Sequence, residues 1–194
     1  MQDESAVPRL QDRGMMSAND LVRSARPEDA GACVAIYRPY VEDTAITFET
    51  EVPTDNEMAA RIASARTSHE WLVLEHNDDV IGYAYAHAFN FRAAYRWSTE
   101  TSIYVAANYH RGGGGRKLYA QLLQRLAERG YRRAFADITQ PNPASNGFHQ
   151  SFGFEHVGLY RCVGWKHGGW HDVAWMQLNL LGAEDDNHPP VPLT

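Results

Sequence analysis

Residues 101–130 read TSIYVAANYHRGGGGRKLYAQLLQRLAERG, and they constrain the fold more than any other stretch of the chain. Thr101 to Ala106 is rich in β-branched and aromatic residues, as a buried strand is. Leu118, Leu122, Leu123 and Leu126 then recur at helical spacing, and Gly130 supplies the stop. Four glycines, 112–115, stand between strand and helix, flanked by Arg111, Arg116 and Lys117. A linker separates units, whereas this run joins a buried strand to an amphipathic helix that must pack on it. Glycine at such a junction permits positive φ and lets a ligand approach the backbone closely. The free N–H groups of the helix start face outward with the positive end of its dipole. The expected ligand is a polyanion, most simply a phosphate-rich cofactor. Two familiar phosphate loops fail by counting. G-x-x-x-x-G-K-[ST] finds no glycine in register, and Lys117 is followed by Leu118; G-x-G-x-x-G would need glycine at 117 or 118.

The flanking sequence alternates strands and helices. Leu21 to Arg23 is a strand, and Pro27, Glu28 and Asp29 fit the first turn of a helix. Thr54 and Glu57 form a capping-box pattern ahead of a helix over 55–66. Trp71–Glu75 and Val80–Ala86 read as a hairpin turning at Asn77-Asp78-Asp79. Ala134 to Ile138 is a strand, and Asn142-Pro143 starts a helix that ends at Gly153. Two strands, about 155–164 and 172–180, join through KHGGWH. The order predicts an α+β (mixed α/β) fold, with strand–glycine–helix at its centre.

The chain has 194 residues, enough for one domain with a real core, and 22% of them are charged. The formal net charge of −6 argues against a general nucleic-acid binder, which would carry a basic stripe. Cys33 and Cys162 lack metal spacing and read as reduced, buried residues of a cytoplasmic protein. No apolar run reaches the length of a membrane span, and the start has no apolar core for export. Residues 1–19 and 182–194 read as polar tails around a domain at 20–181. His167 and His171 have H-x-x-x-H spacing, but the two glycines between them argue for a turn, so no metal is expected.

A third phosphate loop fits the glycines. Registered on Leu118-Tyr119, His110 to Gly115 matches [Q/R]-x-x-G-x-[G/A], with Gly113 and Gly115 in the small positions and His110 departing from the first. That is the pyrophosphate loop of the GNAT acetyltransferases. TFETEVPT (47–54), GYAYAHAFNFRAAYRW (82–97), STETSIYV (98–105), PNPASNGFHQSFGFEHVG (141–158) and WKHGGWHDVAWMQLNL (165–180) together resemble the phosphinothricin N-acetyltransferase group of that superfamily. The resemblance covers roughly residues 20–180.

The resemblance implies a central twisted mixed sheet with helices on both faces. It implies a strand before the loop that splays from its neighbour to admit the pantetheine arm. It further implies acetyl-CoA as co-substrate, a small amino-acid-like amine as acceptor, and a homodimer. Phosphinothricin, methionine sulfoximine and methionine sulfone are acceptors of that kind; polyamines, aminoglycosides and protein amines are alternatives. So is a non-catalytic acyl-CoA-binding module. No nucleic acid or membrane partner is implied.

Glu100 falls at the family's proposed base, and a carboxylate there can take the proton of the substrate ammonium. His149 is expected to donate a hydrogen bond to the departing thiolate or to serve the proton path. His110, Arg111, Gly113, Gly114, Gly115, Arg116 and Lys117 would hold the cofactor phosphates. Asn142 and Ser145 would face the cofactor arm, as would Ile103, Tyr104 and Val105, with amides near Tyr104 and Val105 on the thioester carbonyl. Arg92 and Tyr95 would contact the substrate, and Phe48 would wall its pocket. Asn90 stands where some members of the group carry lysine, which loosens the expectation of a phosphinate.

Overall fold

Residues 71–74 and 81–84 are buried on both sides of their strands, so helices must cover both faces. The computed structural model describes residues 20–110 and 112–181. The expected tails and Arg111 lie outside the described residues. Strand β1 (Asp20–Ser24) leads through a 3-10 turn at Pro27–Asp29 into helix α1 (Ala30–Asp43), and helix α2 (Asp55–Ser68) follows. Strands β2 (Trp71–His76), β3 (Asp79–Ala88) and β4 (Ser98–Val105) come next, then helix α3 (Gly114–Glu128). The chain continues through β5 (Arg133–Gln140), α4 (Pro143–Gln150), β6 (Glu155–Lys166) and β7 (Gly169–Asn179).

Local chemistry accounts for the boundaries. Thr54 Oγ1 accepts from the Glu57 N–H at 3.2 Å, and Glu57 Oε2 accepts from the Thr54 N–H at 2.7 Å, the reciprocal cap of α2. Asn77 and Asp78 take positive φ, 51° and 69°, which gives the β2–β3 hairpin a two-residue turn whose twist matches its strands. His167 and Gly168 do the same between β6 and β7, so β7 starts at Gly169, earlier than the sequence suggests. His171 Nε2 donates to Lys166 O at 2.9 Å and His167 Nε2 to Thr44 O at 3.1 Å. Both imidazoles are used by the backbone. Cys33 is buried as expected, but Cys162 is exposed, where β6 shifts register against β7.

The strand order is β1-β2-β3-β4-β5-β7-β6. All neighbours are antiparallel except β4 and β5, which are parallel. That pair touches only at Ser98–Arg133, Thr99–Ala134 and Glu100–Phe135. Beyond Glu100 the two strands part, while β4 stays paired to β3 and β5 to β7 along their whole lengths. The parting is therefore held open by ladders on both outer sides.

Alternation along the strands sends neighbouring residues to opposite faces. On one face, α1 and α2 pack Tyr37, Val41, Met58 and Ile62 against Trp71, Val73 and Tyr83. On the other, α3 packs Leu118, Tyr119, Leu122 and Leu126 against Leu72, Leu74, Ala84 and Ala134. Those three α3 leucines are fully buried, and cutting any of them to alanine costs about 2–5 kcal/mol.

Candidate functional site

The parting of β4 and β5 opens a cleft of about 200 Å³ that reaches both faces of the sheet. Thr101 and Ile103 of β4, with Ala136 and Ile138 of β5, face α3; the Thr101 hydroxyl meets Tyr119 Oη at 2.7 Å. Glu100, Ser102 and Tyr104 face the α1–α2 side, where Tyr104 packs edge-on against Tyr37 at 4.8 Å. One side of the cleft thus carries α4 and lies against the start of α3, where a Cβ on Gly115 would be 3.8 Å from Ile103 Cδ1, and the other carries Glu100.

The glycine loop ends in Gly113, whose φ of 82° suits glycine alone without strain, and a side chain added there would meet nothing within 4 Å. Gly113 O accepts the N–H groups of Arg116 and Lys117, at 3.1 and 3.2 Å, so the amides ahead of them are the unbonded start of α3. Gly114 is needed for packing: a Cβ there would lie 2.6 Å from Leu74 Cδ2. This open turn, glycine-lined and dipole-positive, fits a pyrophosphate.

Several expected contacts are redirected. Lys117 Nζ donates to Asp20 O in β1 at 2.7 Å, because the fourth residue of α3 lies over the sheet edge and not over the loop. His110 Nε2 donates to Val105 O at 2.9 Å and lies 3.2 Å from Tyr40 Oη, so its exposed ring ties the loop back to the end of β4. Arg116 reaches Ser151 Oγ at 2.8 Å and lies over the Phe152 ring, between α3 and α4. The Ala106 N–H donates to Ile81 O at 2.9 Å, and amides alternate along a strand. The Tyr104 amide therefore faces β3, and the amides of Ile103 and Val105 face the parting.

Asn142 caps α4, its Oδ1 accepting the Ser145 N–H at 3.0 Å. His149 lines the cleft but is 4% exposed, enclosed by Tyr119, Phe148 and Phe154. Burial lowers its pKa, so the ring is neutral near pH 7. Its Nδ1 donates to Ser145 O at 2.9 Å, which leaves Nε2 as an acceptor with no partner in the protein. The expected donor role toward a thiolate is thereby inverted: the ring offers a lone pair.

On the opposite face the Glu100 side chain is 17% exposed, and His87 Nε2 lies 3.5 Å from its Oε1. Burial pushes its pKa up to about 8, helped by the charge of, and a hydrogen bond with, Asp137. Phe48 lines the cleft, as expected. Its ring occupies the space beside Gly164, and buried Lys166 holds Thr47 O at 2.8 Å, so the β6–β7 hairpin props this segment. Tyr37 Oη meets Thr47 Oγ1 at 2.6 Å and donates to Glu49 at 3.2 Å. Arg92 and Tyr95 do not line the cleft. Arg92 is exposed over Phe91, and Tyr95 packs on Phe89 in the loop after β3. Among the described residues no lysine or arginine lines the cleft, whereas Glu49, Glu100 and Asp137 do.

Residues 22–175 match the family model described as an acetyltransferase (GNAT) domain. The chain belongs to the GNAT acetyltransferase family. It is 39% identical to a phosphinothricin N-acetyltransferase of Streptomyces coelicolor over 82% of this chain and 95% of that one. It is 36% identical to an L-methionine sulfoximine/L-methionine sulfone acetyltransferase of Pseudomonas paraeruginosa over 85% and 96%. A GNAT phosphinothricin acetyltransferase from Sinorhizobium meliloti, solved in complex with AcCoA, superposes with a TM-score of 0.83 at 35% identity, covering 89% of this chain and 94% of that one. The central mixed sheet expected from the sequence is this GNAT fold. The structure adds Asp137 and His87 to the residues lining the cleft. Their signals were a lone acid inside the apolar run AFADI and a histidine ending GYAYAHA, where β3 lies beside Glu100.

Proposed function

We infer that this GNAT enzyme moves the acetyl group of acetyl-CoA to the primary amine of a small amino-acid-like acceptor, of the phosphinothricin, methionine sulfoximine or methionine sulfone type. The observation that carries the reading is the placement of Glu100 on one face of the parted strands and the glycine-led start of α3, against Ile103 and Val105, on the other. Acetyl-CoA brings an acyl group activated as a thioester. The α3 amides would hold its pyrophosphate, and Asn142, Ser145 and His149 would line its arm. A neutral His149 accepts at Nε2, which suits an amide N–H of that arm.

Glu100 takes a proton from the acceptor ammonium, and its high pKa makes it a base strong enough for an amine near pH 8. The neutral amine attacks the thioester carbon through the parting. The Ile103 and Val105 amides support the carbonyl oxygen as it gains charge. CoA needs no acid to leave, because a thiol of pKa about 8.5 is already a good leaving group. The exposed apolar residues of the β6–β7 hairpin, Trp165, Trp170 and Tyr160 among them, support a homodimer. The two free cysteines, Cys33 and Cys162, support the cytoplasm as the location.

A polyamine is the second reading, favoured by a cleft with three carboxylates and no lining cation among the described residues. A thiol-release assay decides. With acetyl-CoA it is run against phosphinothricin, methionine sulfoximine, methionine sulfone, ordinary amino acids, spermidine and an aminoglycoside. Release with the first three supports the reading; release with spermidine alone replaces it; silence across the panel with acetyl-CoA still bound points to a non-catalytic module.

A further inference from the structure

His87 and Glu100 are directly opposed residues of the β3–β4 ladder. Opposed side chains of an antiparallel pair stand on the same side of the sheet, and here His87 Nε2 lies 3.5 Å from Glu100 Oε1. A movement of under ~1 Å brings such a pair to hydrogen-bond length. The other ring nitrogen, Nδ1, is 3.2 Å from Ala88 O. A carbonyl oxygen only accepts, so Nδ1 is the donor, and in the neutral ring Nε2 turns a lone pair toward the carboxyl. The two side chains differ in their access to water: Glu100 is 17% exposed and His87 46%.

His87 also stands between two cavities. With Tyr85 it lines both the cleft of Glu100 and a second, open groove of about 680 Å³ between α2 and β3, where Arg61, Ser64, His69 and Trp71 are further walls. Burial raises the Tyr85 phenol, so of the two shared residues His87 is the one able to take up a proton near neutral pH. The groups around it are otherwise occupied or uncharged. Burial, ahead of the neighbouring charges, lowers His69 to about 4, and Arg61 of α2 holds Glu49 at 2.7 and 3.0 Å. In the cleft, burial raises Tyr37 and Tyr104 and lowers His149, while Asp137 of β5 is a further lining carboxyl. Among the described residues, Glu100 is the carboxyl paired with His87.

We propose that His87 is a positioning residue for the base: its imidazole takes the proton that Glu100 receives and passes it to solvent in the groove. This rests on the reading of Glu100 as the base. In turnover the acceptor ammonium gives one proton to a Glu100 oxygen. Glu100 yields it to His87 Nε2 and is a carboxylate again, and the imidazolium loses a proton to water. The amine nitrogen bonds the acyl carbon as the C–S bond breaks, and the second nitrogen proton ends on the CoA sulfur. One ammonium and one thioester thus give one amide, one thiol and one released proton.

The test is thiol release by wild type, His87→Gln, His87→Ala, Glu100→Gln and the double variant Glu100→Gln/His87→Gln in dilute, imidazole-free buffer. Acetyl-CoA is the donor, and the acceptor is the fastest of phosphinothricin, methionine sulfoximine and methionine sulfone. Expected is a kcat about tenfold or more lower in both His87 variants, with the calorimetric affinity for acetyl-CoA unchanged. Added imidazole should return His87→Ala toward wild type in proportion to its concentration and leave Glu100→Gln where it is. In the Glu100→Gln background the His87 change should cost nothing further. A wild-type kcat in His87→Gln would overturn the proposal. So would a loss in both His87 variants that neither imidazole nor added buffer relieves, or one that adds in full to the loss from Glu100→Gln, because each marks a merely structural role. Undiminished turnover in Glu100→Gln would instead remove the base reading, and no release by wild type with any of the three would remove the acceptor reading; the proposal falls with either.

Discussion

Replacing Glu100 with glutamine should make the protein more stable at alkaline pH while disabling it. In the folded chain the Glu100 carboxyl holds its proton up to about pH 8, against an ordinary value of 4.5. Between those limits the folded state binds a proton that the unfolded chain has lost, so stability falls as pH rises through this window. Each pH unit of such a difference is worth up to about 1.4 kcal/mol, so between pH 6 and pH 8 wild type loses about 2–3 kcal/mol through this group. Glutamine has the same shape and no titration. The assay is urea unfolding of both proteins at pH 6, 7 and 8. The stability difference should grow steadily in favour of Glu100→Gln. A flat difference across that range would refute the reasoning, because the carboxyl would then titrate alike in both states.

Lys117→Ala should cost about 1.5–3 kcal/mol of stability, the loss of a charge-assisted hydrogen bond to Asp20 O, and leave the calorimetric affinity for acetyl-CoA unchanged. Gly164→Ala places a methyl group in the volume of the Phe48 ring and should raise the acceptor KM by about tenfold or more, with acetyl-CoA affinity unchanged. Arg116→Ala should weaken CoA binding more at low salt than at high salt, read by calorimetry at two ionic strengths.

What could be read from the sequence was local. The strand–glycine–helix unit, the Thr54–Glu57 cap, the Asn142 cap and the β2–β3 turn each rest on residues a few positions apart, and each is in the structure. The parting of β4 and β5 came through resemblance, since no residue spacing dictates where a ladder ends. The redirected contacts have long-range partners. Lys117 meets a strand 97 residues away, and Asp137 enters the cleft that holds Glu100 only once the register of two strands is set. The His149 tautomer is a different case. Its partner, Ser145 O, is four residues back on the same helix, so a helical reading of GFHQS already contains that contact. Charge alone points to Arg92 in the sequence, and the loop after β3 holds it outside the cleft.

The central claim is that donor and acceptor bind on opposite faces of the parted strands and meet at Glu100. Acetyl-CoA affinity and thiol release measured side by side on wild type and Glu100→Gln test it most directly. Expected is an unchanged dissociation constant with turnover reduced by about 10²–10⁴. Undiminished turnover, or an affinity for acetyl-CoA that falls along with the rate, would contradict it.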